Sequence, residues 1–172
     1  MCEHHSISRR GFGSLALSAA SLSLLPMAAV RAAGAPIKAF ALTCIDYRFL
    51  NRDAAFIAND LDLFRNADIV ALAGASLAAI STKLPESAKA FWEQLAIAKQ
   101  LHGFHHVVMI DHMDCGAYKA EFAPLDPAKE HEKHVQVLTT VSQRLKGMGY
   151  TVDGYLMPKE IDGCAEHIIK AA

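Results

Sequence analysis

Two short stretches of this 172-residue chain carry side chains able to do chemistry together. Cys44-Ile45-Asp46-Tyr47-Arg48 offers a thiolate, a carboxylate and a guanidinium. His112-Met113-Asp114-Cys115-Gly116 offers an imidazole and a second thiolate. Cys44, His112 and Cys115 are a sound ligand set for a catalytic zinc ion (Zn2+), which takes three protein ligands and keeps a fourth position open. Such a site is formally neutral because two thiolates cancel the metal charge, yet it still acidifies a bound water towards neutrality. Thiolates donate more charge than imidazoles, so a weaker Lewis acid is expected than from three histidines. Each half also has a plainer reading. Asp-x-Arg alone is a common surface ion pair, and His-x-x-Cys alone says little. Four cysteines raise a metal-free alternative, a Cys44–Cys115 disulfide, but Asp46, Arg48 and His112 would then have no reason to accompany the pair.

The elements that must position these residues follow from hydrophobic periodicity. Ile37 to Thr43 is an apolar strand ending at Cys44. Residues 52–64 predict a helix with Phe56, Ile57, Leu61 and Phe64 inward and Asp53, Asp60 and Asp62 exposed. Asp68 to Ala73 is a second strand closed by Gly74, and Pro85 opens a helix that buries Phe91, Leu95, Ala98 and Leu101 and stops at Gly103. His106 to Ile110 is a third strand leading into His112. Asp126-Pro127 caps a helix that turns Leu138, Val141 and Leu145 inward and stops at Gly147, and Thr151 to Met157 is the final strand. This alternation predicts an α/β fold, a single domain whose mainly parallel, doubly wound central sheet is flanked by helices. In the strand order 2-1-3-4 the first and third strands are neighbours. Both motifs then fall at C-terminal strand ends beside the switch point, where ligands sit in such sheets.

Apolar residues make up 52% of the chain, which argues against disorder, and the length suits one domain. Residues 1–35 read as a twin-arginine export signal: Arg9-Arg10, an apolar run from Leu15 to Val30, then small residues suited to cleavage after Ala32, with Ala35 as an alternative. The run is short for a membrane span, so the mature protein is expected to have none; an uncleaved N-terminal anchor is the other reading. The predicted address is the periplasm, and residues 36–172 form the domain. Cleavage removes Arg9, Arg10, Arg31 and Glu3 from 17 basic and 18 acidic residues, leaving 14 and 17, a net charge of −3. A mildly acidic domain without basic clusters excludes nucleic acid as a partner.

Cys44-x-Asp46-x-Arg48 followed by His112-x-x-Cys115-Gly116 resembles the signature of the beta-class carbonic anhydrases, and the likeness runs from about residue 37 to 120. The resemblance implies a beta-carbonic anhydrase-like fold and reversible hydration of carbon dioxide to bicarbonate by a zinc-bound hydroxide. It implies that Asp46 and Arg48 act as a gate. Held by Arg48, Asp46 orients the hydroxide; released, it takes the fourth zinc position. An extended segment would project Cys44, Asp46 and Arg48 to one side. The resemblance further implies dimers or multiples of dimers with the site at the subunit boundary.

Several residues depart from that pattern or invite other readings. Tyr47 stands where serine is usual and places a bulky phenol beside the gate. Asp111 replaces a glycine, either bracing His112 or adding negative charge. The domain of about 140 residues is short, with no equivalent of the N-terminal arm that wraps the partner subunit and no identifiable bicarbonate-holding glutamine. His131 and His134, three apart, are read as covering the end of the core or a subunit contact rather than a second metal site. His102, His105 and His106 are the candidate proton carriers. Gly74-Ala75-Ser76 reads as a tight turn, and Cys164 as a residue outside the site. Two further functions remain open: hydrolysis of another small electrophile of the carbonyl sulfide or carbon disulfide type, and a non-catalytic zinc protein with Asp46 as permanent fourth ligand.

Overall fold

Ala39–Thr43 is buried at every residue, the mark of a strand covered on both faces. In the computed structural model, which describes residues 36–160 and 163–171, this strand (β1) is an interior strand of a five-stranded sheet. The others are β2 (Ala67–Ala71), β3 (His106–His112), β4 (Thr151–Met157) and β5 (Glu166–Ile169), in the order β2-β1-β3-β4-β5. All pairings are parallel except β4 with β5. The sheet is thus the expected doubly wound one with an added antiparallel edge. Among the described residues no helix is long and apolar enough to cross a membrane. The export-signal reading of residues 1–35 lies outside the described residues.

Side chains alternate across the sheet, and each face has its own cover. Phe40, Leu42, Val107 and Met109 pack under α2 (Pro85–His102) and α4 (Pro127–Gly147), through Phe91, Leu95, Leu138, Val141 and Leu145. Burying each large apolar side chain of this kind contributes about 1.5–3 kcal/mol. On the other face Ala39, Ala41, Val108 and Ile110 meet Phe49, Ile57 and Leu63 around α1 (Leu50–Ala55). Asp126 caps α4 by accepting from the Lys129 amide at 2.9 Å, with Pro127 in the first turn. Gly103, at φ 69°, ends α2.

Three parts differ from the sequence reading. The helix predicted over 52–64 is α1 followed by one wide turn over Phe56–Asp60, closed by Leu61 N–H donating to Phe56 O. Asp53, four residues before the buried Ile57, shares its inward face and is buried, whereas Phe64 lies beyond the end of the helical segment and is 69% exposed. A short helix, α3 (Gly116–Phe122), follows the second motif, and β5 follows β4, which is therefore not the last strand. With Glu166 and His167 exposed, β5 has too little apolar alternation to be read as a strand.

Candidate metal centre

Parallel pairing of β1 with β3 carries the ends of both strands to one edge of the sheet. Cys44 follows β1 directly, and His112 is the last residue of β3. From there the chain doubles back through Asp114, at φ 62°, a left-handed conformation that aspartate tolerates better than most residues. The turn is tied down by Met113 N–H donating to Met157 O at 2.8 Å and delivers Cys115 to the start of α3. One ligand atom from each of Cys44, His112 and Cys115 lies within 4.8 Å of the others, and all three residues are buried.

The imidazole is held from two sides. His112 Nδ1 is 2.9 Å from Met113 O, a carbonyl that can only accept, so Nδ1 carries the proton and Nε2 presents its lone pair. Phe49 stacks on the ring at 4.0 Å. Nε2 is buried with no hydrogen-bond partner, a costly state for a polar atom. Together with two free, buried thiols, that bare nitrogen makes a donor set suited to a soft or borderline divalent metal. Among the described residues it is the one such cluster.

A hydrogen bond from the Cys115 thiol holds Cys44 down at about 4, with help from the Gly74 amide and against the opposing effect of burial. The same bond to Cys44, then burial, pushes the Cys115 thiol up. Gly74 N–H reaches Cys44 Sγ at 3.3 Å from a backbone at φ 81°. A Cβ there would also meet those of Ala117 and Leu77 at 3.1 Å, so the turn after β2 requires glycine and is part of the site.

Asp46 and Arg48 come together, but not on an extended segment. The Arg48 amide donates to Asp46 Oδ1 at 3.0 Å, and Phe49 N–H and Leu50 N–H donate to Asp46 O, a tight turn built on the aspartate itself. The Arg48 guanidinium then grips both carboxylate oxygens, Nη2 at 2.7 Å from Oδ2 and Nε at 3.0 Å from Oδ1. Its Nη1 reaches Asp114 at 2.9 Å. The Arg48 hydrogen bond holds Asp46 down at about 2. Asp46 Oδ2 lies 4.0 Å from His112 Nε2.

Other expectations are corrected. His106 begins β3 and His112 ends it, so about 20 Å of strand separates the candidate proton carriers from the site. His102 pairs with Asp68 and His105 with Lys99 instead. Asp111 does not brace His112: its oxygens accept from Ser76 N and Oγ, Tyr118 OH and His134 Nδ1. His131 bonds Glu166 of β5 at the surface, whereas His134 is fully buried. Cys164, as expected, is not among the clustered ligands, and it is exposed. Sequence reasoning missed Glu130, whose Oε1 accepts from Cys115 N–H at 2.8 Å. The signal available was its spacing of one helical turn from His134.

A cleft of about 560 Å³ opens above the cluster, walled by Ile45, Ala73, Gly74, Gly116 and Ala117 besides the motif residues. Tyr47 is among the residues that line it and is 83% exposed.

A family model described as "Putative carbonic anhydrase" matches residues 36–161. Uncharacterized proteins of Rickettsia bellii and Rickettsia conorii are each 29% identical over 130 residues, which is 74% of this chain and 79% and 69% of theirs. A carbonic anhydrase from Glaciozyma antarctica has a similar fold, with a TM-score of 0.50 at 15% identity over 84% of this chain and 89% of that one.

Proposed function

The chain belongs to the "Putative carbonic anhydrase" family, and from that premise we propose that it is a zinc enzyme interconverting carbon dioxide and bicarbonate, with Cys44, His112 and Cys115 as the metal ligands. The observation that carries this reading is the bare, buried Nε2 of His112 set within 4.8 Å of two free thiols. Bound there, zinc supplies the Lewis acidity that makes water a nucleophile near neutral pH.

The chain's own residues do the rest. Small and apolar walls suit a neutral, apolar substrate such as carbon dioxide. Asp46, kept ionised by Arg48, offers an acceptor oxygen beside the ligand cluster, where it can hold the attacking water by its proton. The grip of Arg48 on both Asp46 oxygens holds the carboxylate back from the fourth-ligand position while leaving each oxygen a further lone pair to accept a hydrogen bond. That grip supports catalysis over a permanently closed zinc site. The same walls would admit carbonyl sulfide or carbon disulfide, so rates on the three substrates decide between the two activities.

A second subunit across the cleft mouth would cover Ile45 and Tyr47, which are exposed in the single chain. We take a homodimer, exported to the periplasm on Arg9-Arg10 and the following apolar run, as the working form. The decisive experiment is stopped-flow hydration of carbon dioxide by the zinc-loaded protein across pH 7 to 9, with Cys44→Ser as blank. Turnover well above the blank is expected. Zinc bound without turnover at any pH would sink the proposed activity.

A further inference from the structure

The inward face of α4 changes character along its length. Val137, Leu138, Val141 and Leu145 are apolar and buried, as a helix on a sheet requires. The preceding two turns bury His134, fully, and Glu130, at 5% exposure. Burying a carboxylate costs several kcal/mol of desolvation, which hydrogen bonds offset only in part. A helix needing only to pack would carry leucine at both positions.

Both side chains reach the segment that holds the second motif, one at each end. His134 Nδ1 donates to Asp111 Oδ2 at 3.0 Å, immediately before His112. Glu130 Oε1 accepts from Cys115 N–H at 2.8 Å, two residues after the Met113 turn. His134 Nε2 and Glu130 Oε1 lie 4.0 Å apart, too far for a hydrogen bond, so the two act as separate struts on one helix. Asp111 is itself fixed by Ser76 and Tyr118, which makes the His134 contact a firm footing for α4. With that end anchored, Glu130 sets the height of the Cys115 backbone, from which a single rotatable bond leads to Sγ.

We propose that Glu130 is a positioning residue for the metal centre, fixing Cys115 through its backbone amide so that the thiolate meets the ion without rearrangement. The inference rests on the zinc site proposed above but not on its reaction.

Two conservative variants separate position from charge. Glu130→Gln keeps the length and an acceptor oxygen but loses the charge. Glu130→Asp keeps the charge but is one methylene too short to reach. Zinc affinity is measured by competition with a chromophoric chelator, and geometry by the thiolate-to-metal absorption of the cobalt-substituted protein. We expect Glu130→Asp and Glu130→Ala to weaken zinc binding by roughly 10–100-fold and to alter the cobalt spectrum, with Glu130→Gln close to wild type in both. The reverse order, with Gln impaired and Asp unaffected, would overturn the inference in favour of a charge effect. Wild-type affinity in all three, or a loss confined to the thermal midpoint of the metal-free protein, would overturn it too. If Glu130→Ala fails to fold, the Asp and Gln pair still decides, since both keep a polar group in the same space. Wild-type protein that binds zinc without hydrating carbon dioxide removes the activity alone and leaves this test intact.

Discussion

Arg48 holds Asp46 by both carboxylate oxygens and, through a third nitrogen, ties it to Asp114 of the second motif. One guanidinium therefore joins the residues that follow Cys44 to the turn between His112 and Cys115. Lysine is a point charge on a flexible stem and cannot make a two-pronged contact with one carboxylate while reaching a second. Arg48→Lys is expected to lower carbon dioxide hydration by roughly 10–100-fold with the zinc content unchanged. Stopped-flow rates alongside metal analysis check this. Loss of zinc together with activity would place Arg48 in the fold of the site rather than in its chemistry.

Metal removal is expected to destabilise the fold, because it leaves His112 Nε2 buried without a partner. Free zinc at 1,000 times its Kd stabilises the native state by about 4 kcal/mol. For a domain of this size each kcal/mol moves Tm by roughly 2–4 °C, so stripping the metal should lower Tm by roughly 8–16 °C. Thermal melts with and without a chelator measure this. Cys44→Ser, lacking one thiolate, should show little zinc-dependent shift; a full shift would move the binding site elsewhere.

The chemistry-bearing residues were legible because they are local in sequence and sit at strand ends, and the apolar strands β1 and β3 stand out by composition alone. The order of four strands followed from their alternation with helices. What escaped depended on longer-range facts. Asp53 looked exposed from its charge, although helical spacing sets it on the same face as Ile57, four residues on. Burial raises its carboxyl to about 7, and neither oxygen has a partner. His131 and His134 looked alike at three residues apart, yet that spacing turns them about 60° on a helix, enough to send one to β5 and the other to Asp111. Glu130 looked like any surface glutamate. Only the fold reveals that the Cys115 amide is aimed at it.

Asp111 should prove one of the least replaceable residues outside the ligand set. It is buried and takes four donors, three of them on Oδ2: Ser76 Oγ at 2.7 Å, Tyr118 OH at 2.7 Å and His134 Nδ1 at 3.0 Å. The fourth, the Ser76 amide, meets Oδ1 at 3.0 Å. Asparagine is the same size but presents one oxygen and an NH2 group, so one donor must face another. Leaving buried donors unsatisfied costs about 1–3 kcal/mol each. Asp111→Asn should therefore lower unfolding stability by about 2–3 kcal/mol in urea titrations. A change below the error of that measurement would mean that the network repacks freely.

At the far end of the sheet, Asp153 joins three segments. His106 Nε2 approaches Oδ2 at 2.8 Å, while His167 Nε2 and the Ala171 amide approach Oδ1 at 2.7 and 2.9 Å. Burial works against ionisation, but the Ala171 amide and the two imidazoles outweigh it and hold the carboxyl below its usual 3.8. A carboxyl depressed in the folded state contributes stability that is complete above its unfolded pKa and disappears as pH falls through the folded value. The contribution should thus be intact above about pH 5 and fade on the way to about pH 3. Asp153→Asn lacks it throughout. The gap in Tm between wild type and Asp153→Asn should close as pH falls from about 5 to about 3. A gap that persisted undiminished to about pH 3 would show that Asp153 holds β3, β4 and β5 together by shape rather than by its charge.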